Sequence, residues 1–200
     1  MQLFHSPTSP FVRKVMVVLH ETGLLDQVEL IKAAGTPFDA SQMPTAHNPL
    51  GKIPTLSRPD GPAIYDSRVI CRYLDNKAGT NLYPERAIWD ILTLEATADG
   101  IMDAAILMSY EARYRPENMQ SADWVNGQWD KISRALDAIT TRWMSHLAGP
   151  LDIGHIAVGC ALGYLDLGHD DRKWRKTRDA LDDWFAEFST HSAMLKTEPA

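Results

Sequence analysis

The sequence predicts an α/β domain followed by an all-helical one. Three observations carry that prediction. Eight of the twelve prolines lie in residues 1–77, among short apolar runs and turn residues. Residues 88–195 hold two prolines, Pro116 and Pro150, separated by long segments of helical period. Between them, Ala78-Gly79-Thr80-Asn81-Leu82-Tyr83-Pro84 has the texture of a linker. The boundaries are therefore set at 1–77, a linker over 78–87, and a helical bundle over 88–200.

Gln2 to His5 reads as a short strand. Phe11 to Glu21 follows as a helix, with Phe11, Val15, Val18 and Leu19 on one face and Gly23 ending it. Val28 to Ile31 is a second strand, and 33–49 a loop. Thr55-Leu56-Ser57 and Ala63-Ile64-Tyr65 flank Pro59-Asp60-Gly61, a turn signature, and form an antiparallel hairpin. Ser67 to Ala78 is a helix with Val69, Ile70, Tyr73 and Leu74 inward. Two strands joined by a crossover helix, then a hairpin and a covering helix, make a thioredoxin-like layout. The second domain divides into helices over 88–114, from Ser121 to about Leu147, from Ile153 to about Leu167 with Asp152 as cap, and over 173–188. The six tryptophans all fall there and read as packing anchors.

Composition excludes several function classes. With 44% apolar and 23% charged residues, the 200-residue chain is globular, not disordered. A net charge of −6 lacks the cationic footprint of a nucleic-acid or anionic-lipid binder. Cys71 and Cys160 form no CxxC pair, and the density suits cytosolic thiols. The first ten residues show no signal-peptide pattern, and the least polar stretch, Ile153 to Leu165, is too short to span a bilayer. A soluble cytoplasmic protein is expected. The histidines make no metal-ligand motif, and no nucleotide-binding glycine motif is present, so no metal and no tightly bound cofactor are expected.

Chemistry concentrates at three junctions. In Ser6-Pro7-Thr8-Ser9-Pro10-Phe11, Pro10 suits the first helical turn and makes Ser9 the N-cap. The hydroxyl either only caps the helix or also donates to a bound thiolate or oxyanion. In Asn48-Pro49-Leu50-Gly51-Lys52-Ile53-Pro54-Thr55-Leu56, a cis Ile53–Pro54 bond would turn the Ile53 backbone outward, ready to pair with an extended ligand. Lys52 could neutralise a carboxylate, or stand solvated in an ordinary loop. Asp66-Ser67 opens the next helix as a second anion site, or as a plain cap. Together they fit a short, extended, doubly carboxylated peptide that carries a thiol.

These motifs, Ser6 to Lys14, Asn48 to Leu56 and Asp66-Ser67, make the whole chain resemble a cytosolic-type glutathione S-transferase, similar to small bacterial members with a serine at the active-site position. The resemblance implies that Ser9 holds the glutathione thiolate. It implies that the Ile53 backbone, before cis-Pro54, pairs with the cysteinyl unit, that Asp66 and Ser67 hold the γ-glutamyl end, and that Lys52 approaches the glycyl carboxylate. It further implies glutathione as co-substrate, a small hydrophobic electrophile, a detoxification role and a homodimer. Asp99 matches the position that in some members crosses to the partner's γ-glutamyl ammonium; the alternative is a solvated helix carboxylate. Phe11, Met102, Ile106 and Tyr110 could line the electrophile pocket, or be core. Arg13 and Arg113 could contribute charge there, or be solvated or ion-paired.

Two departures matter. Cys is absent where Ser9 stands, which removes mixed-disulfide chemistry through that position. Phe4 and His5 stand where other branches carry a Tyr. In the second domain, His155 replaces the reciprocal carboxylate of the family's capping box, a difference in capping rather than activity. The activity implied is glutathione transfer. The alternatives are a glutathione-dependent isomerase, dehalogenase or peroxidase on the same fold, or a non-catalytic ligand- or partner-binding relative.

Overall fold

The computed structural model describes residues 1–199. The chain divides into two compact units, Glu85–His191 and the remainder.

In the first unit, β1 (Gln2–His5), β2 (Glu29–Lys32), β5 (Thr55–Arg58) and β6 (Gly61–Ile64) form one sheet in the order β2-β1-β5-β6. β1 and β2 are parallel; β5 runs antiparallel to both β1 and β6. The parallel pair is joined by α1 (Pro10–Glu21), and α2 (Ser67–Ala78) packs on α1 and β5. Leu3, Val15, Val18, Leu19, Leu56, Ile70 and Leu74 are fully buried and make the core. This is the thioredoxin-like layout that the element order predicts.

Local chemistry sets the helix ends. Ser9 caps α1 and Pro10 occupies its first turn. Asp66 caps α2, and Gly79 closes it at φ +69°, a left-handed conformation that costs a residue with a Cβ about 1–2 kcal/mol.

Two expectations in this unit are corrected. Residues 33–49 are not all loop: β3 (Ala34–Thr36) and β4 (Asp39–Gln42) form a separate antiparallel hairpin. It is held by short-range bonds, with Thr36 Oγ1 accepting from the Phe38 and Asp39 amides and Asp39 Oδ1 from Ser41. In α2, Val69 is 49% exposed while Cys71 is fully buried. The inward face is Ser67, Ile70, Cys71 and Leu74, spaced i, i+3, i+4, i+7, and Val69 falls off that stripe.

In the second unit, α3 (Ile88–Tyr114) packs on α4 (Ala122–Arg142) and on α6 (Ile153–His169). α4 does not run on to Leu147. It stops at Trp143, whose N–H bonds the Ile139 carbonyl, and a short α5 (Met144–Leu147) follows. α7 spans Asp179–Phe188, not 173–188. Lys173 and Thr177 have positive φ, which breaks any helix there. Longer-range bonds hold that segment: Trp174 Nε1 and the Arg175 guanidinium both reach Asp166, and Arg178 reaches Asp137 and Ser133. Trp174 is buried, but Trp89 is 79% and Trp124 48% exposed, so those two are not packing anchors.

The α6 N-terminus carries the capping difference. Asp152 Oδ1 accepts from the Gly154 and His155 amides, and His155 Nδ1 lies 3.3 Å from the Asp152 amide, completing the box with an imidazole. The last helix, α8 (Ser192–Lys196), was not anticipated. It belongs to the first unit and packs on α1. Among the described residues, no helix is long and apolar enough to cross a membrane.

Candidate functional site

The sheet topology gathers the three junctions. Phe4, near the end of β1, pairs with Thr55 at the start of β5. Leu56 pairs with Ile64 at the end of β6. The segments that leave β1, enter β5 and leave β6 therefore emerge at one end of the sheet. They carry Ser9, Lys52-Ile53-Pro54 and Asp66-Ser67 respectively.

Ser9 is half-buried, in extended conformation, and its Oγ accepts from the Val12 amide at 3.3 Å. Capping uses an oxygen lone pair. The hydroxyl proton remains for a ligand, so the two roles weighed for Ser9 are compatible. The positive end of α1 adds to the same field. His5 ends β1 beside Lys32; its burial, then the Lys32 charge, push its pKa down.

The turn before β5 is built around a residue to which sequence reasoning gave no role. Asn48 is 1% exposed. Its Nδ2 donates to the Lys52 carbonyl at 3.0 Å and to Thr55 Oγ1 at 3.1 Å, and its Oδ1 accepts from the Leu50 amide at 3.0 Å. Thr55 Oγ1 donates to the same Lys52 carbonyl at 2.8 Å. Gly51 supplies the positive φ that the turn needs, at +58°. These bonds fix the peptide leading into Ile53–Pro54, which is cis. The Asn-Pro-Leu-Gly string was the available signal; the buried amide behind it was not readable. Lys52 is exposed and makes no ion pair among the described residues.

Asp66 Oδ1 accepts from the Arg68 amide at 3.1 Å, and Oδ2 lies 2.8 Å from Arg68 Nη2. Partial burial pushes the Asp66 carboxyl up, but the Arg68 hydrogen bonds and charge, with that of Lys14, hold it below its usual value. It is an anion, half-exposed at the helix mouth. Ser67, next to it, is 2% exposed.

Arg13 is not solvated, and it makes no ion pair among the described residues. It is 8% exposed and its Nη2 donates to the Met194 carbonyl at 3.2 Å, tying α1 to α8. Phe11 is half-buried.

The remaining candidates lie on α3. Asp99 is 5% exposed, so the solvated alternative does not hold. Met102 is fully buried, Ile106 half-buried and Tyr110 40% exposed. Burial, then neighbouring Tyr114 and Tyr164, raise the Tyr110 pKa. Arg113 is exposed.

Comparison with known proteins places both parts of the chain. Residues 8–77 match the glutathione S-transferase N-terminal domain family, and residues 122–187 the glutathione S-transferase C-terminal domain family. A crystal structure of a glutathione transferase family member from Pseudomonas fluorescens Pf-5, with bound glutathione, is 46% identical. It covers 100% of this chain and 98% of its own, at a TM-score of 0.97. The chain belongs to the glutathione S-transferase family. A second Pseudomonas fluorescens Pf-5 family-member structure, with bound S-(propanoic acid)-glutathione, is 46% identical over the whole of both chains, at a TM-score of 0.92. The uncharacterized glutathione S-transferase-like protein YibF of Escherichia coli K12 is 32% identical, over all of this chain and 98% of its own.

Proposed function

We propose that this glutathione S-transferase family member binds reduced glutathione and stabilises its thiolate for attack on a small hydrophobic electrophile. The observation that carries the reading is the Ser9 geometry. Its oxygen is occupied by the Val12 amide while its proton is free to donate. A hydrogen bond to a charged group contributes roughly 1.5–3 kcal/mol. At about 1.4 kcal/mol per unit, that lowers a bound thiol's pKa by about one to two units.

Each residue has a task in this reading. The Ile53 backbone pairs with the cysteinyl unit, Lys52 meets the glycyl carboxylate, and Asp66 with Ser67 takes the γ-glutamyl end. The thiol loses its proton, the thiolate forms a carbon–sulfur bond, and the electrophile's leaving group departs or its double bond takes up a proton. Ser9 stays non-covalent throughout. Within the first unit, the half-buried Phe11 is assigned to the electrophile, whereas Met102, fully buried, belongs to the core of the helical unit. Arg13 acts from behind, by holding α8 on α1. The reading includes a cytoplasmic homodimer with a detoxifying role, in which Asp99 serves the neighbouring copy. Glutathione and a glutathione thioether, each bound in a structure of the same Pseudomonas fluorescens relative, support the ligand and the reaction type.

The test is calorimetric titration with reduced glutathione, followed by product analysis with a panel of electrophiles. One saturable site per chain and a thioether product are expected. Silence at two temperatures would overturn the binding reading. Glutathione returned unconjugated or oxidised would replace transfer with isomerisation, dehalogenation or peroxide reduction.

A further inference from the structure

The turn between α5 and α6 holds a cluster that the proposed function does not use. His146 is on α5, Asp152 is the N-cap of α6, and His155 is in its first turn. His146 Nε2 lies 2.7 Å from Asp152 Oδ2, and His155 Nδ1 lies 2.9 Å from Asp152 Oδ1. One donor atom from each of the three lies within 4.8 Å of the others.

We propose that His146, Asp152 and His155 form a site for one divalent transition-metal ion of the zinc type. Two imidazoles and one carboxylate are a donor set of borderline softness, which suits zinc and its neighbours rather than calcium or magnesium. Zinc holds such donors at about 2.0–2.2 Å, which separates them by roughly 3.3 Å in a tetrahedron. The two hydrogen-bonded pairs are shorter than this and the widest separation in the cluster, up to 4.8 Å, is longer, so the imidazoles turn inward to close on an ion. The two oxygens of Asp152 divide the labour. Oδ1 keeps the Gly154 and His155 amides, so α6 stays capped, while Oδ2 turns from His146 to the ion.

The His155 ring is also not fully satisfied in the folded chain. His155 is 4% exposed, yet its Nε2 has no hydrogen-bond partner among the described residues. A buried polar atom without a partner costs about 1–3 kcal/mol, so this imidazole is under-used as it stands. Ligation through Nδ1, the nitrogen that faces Asp152, gives up its bond from the Asp152 amide and leaves Oδ1 alone to cap α6. The surroundings are apolar: Trp143 meets the His146 ring edge-on, and Trp184 and Phe188 lie beside His155. His146 is 20% exposed, which gives an ion a way in and a water a fourth position. The spacing, His-x5-Asp-x2-His across a helix break, matches no metal motif. That is why the sequence pointed to none.

The test uses untagged protein treated with chelator and then titrated with Co2+ alone. One Co2+ per chain with visible d–d absorption is expected, displaced by Zn2+. Zn2+ should also raise the thermal midpoint, because it binds only the folded chain. H146Q, at a partly exposed position that can be replaced without unfolding, should weaken binding by about tenfold or more. H20Q, a histidine outside the cluster, should leave it unchanged. No visible band with no change in midpoint would overturn the site. So would equal binding by H146Q and the parent chain.

Discussion

His169 Nε2, at the end of α6, lies 3.0 Å from the Ala105 carbonyl oxygen in the middle of α3. A carbonyl only accepts, so this nitrogen carries a ring proton and donates it. Burial pushes its pKa below 6.5; the Ala105 bond and Asp171 oppose this without cancelling it. The unfolded chain therefore takes up a proton at pH values where the folded chain does not, and stability rises with pH through that window. Stability should be full above about pH 6.5 and fall below it, down to the folded pKa. Urea denaturation at about pH 7.5 and 5.5 should show this loss, and H169Q should shrink the difference between the two.

Ser9→Ala should lose two things at once. Without the cap, stability falls by about 1 kcal/mol. Without the donor, turnover falls by roughly tenfold or more while the Michaelis constant for glutathione stays within about twofold. Ser9→Thr keeps both oxygen and proton and should recover most of each. Steady-state kinetics beside thermal denaturation separates the two effects. An unchanged turnover number in Ser9→Ala would remove the thiolate role.

Lys52→Ala should act on binding alone. Lys52 is exposed and makes no ion pair among the described residues, so removing it leaves the fold intact. The glutathione dissociation constant should rise by roughly tenfold, and the gap between variant and parent should narrow as salt is added. Calorimetry at low and high ionic strength reads both.

Asn48→Ala should cost more than any exposed residue of the site. It removes two donors and one acceptor from a turn whose Lys52 carbonyl then keeps only Thr55. A loss of about 1–3 kcal/mol in denaturant unfolding is expected, with weaker glutathione binding. Full stability with full affinity would mean that Thr55 holds the turn by itself.

Features written in short-range chemistry were legible in the sequence. Ser9 with Pro10, the Pro59-Asp60-Gly61 turn and Ile53–Pro54 each declare their backbone through one or two residue types, and the structure shows the cap, the hairpin and the cis bond. Features that depend on distant partners were not. β3 and β4 are exposed on both faces, so no apolar alternation marks them. Residues 173–178 have helical composition, but Asp166, Asp137 and Ser133 pull them into a turn. Asn48 is polar and buried, and its partners become visible only when the turn is folded. The candidate site is therefore legible in its exposed chemistry and hidden in the frame that aims it.

The first unit is discontinuous along the chain, and that orders events during synthesis. Met1–Pro84 leaves the ribosome first, but α8, which packs on α1 and accepts the Arg13 hydrogen bond, follows only after the whole of Glu85–His191. At about 5–20 residues per second, the gap is on the order of ten seconds. Through that interval the α1 surface that α8 covers is bare, and Arg13 lacks the Met194 carbonyl. The nascent chain thus presents an unfinished patch on the very helix that Ser9 caps, open to chaperones until α8 emerges.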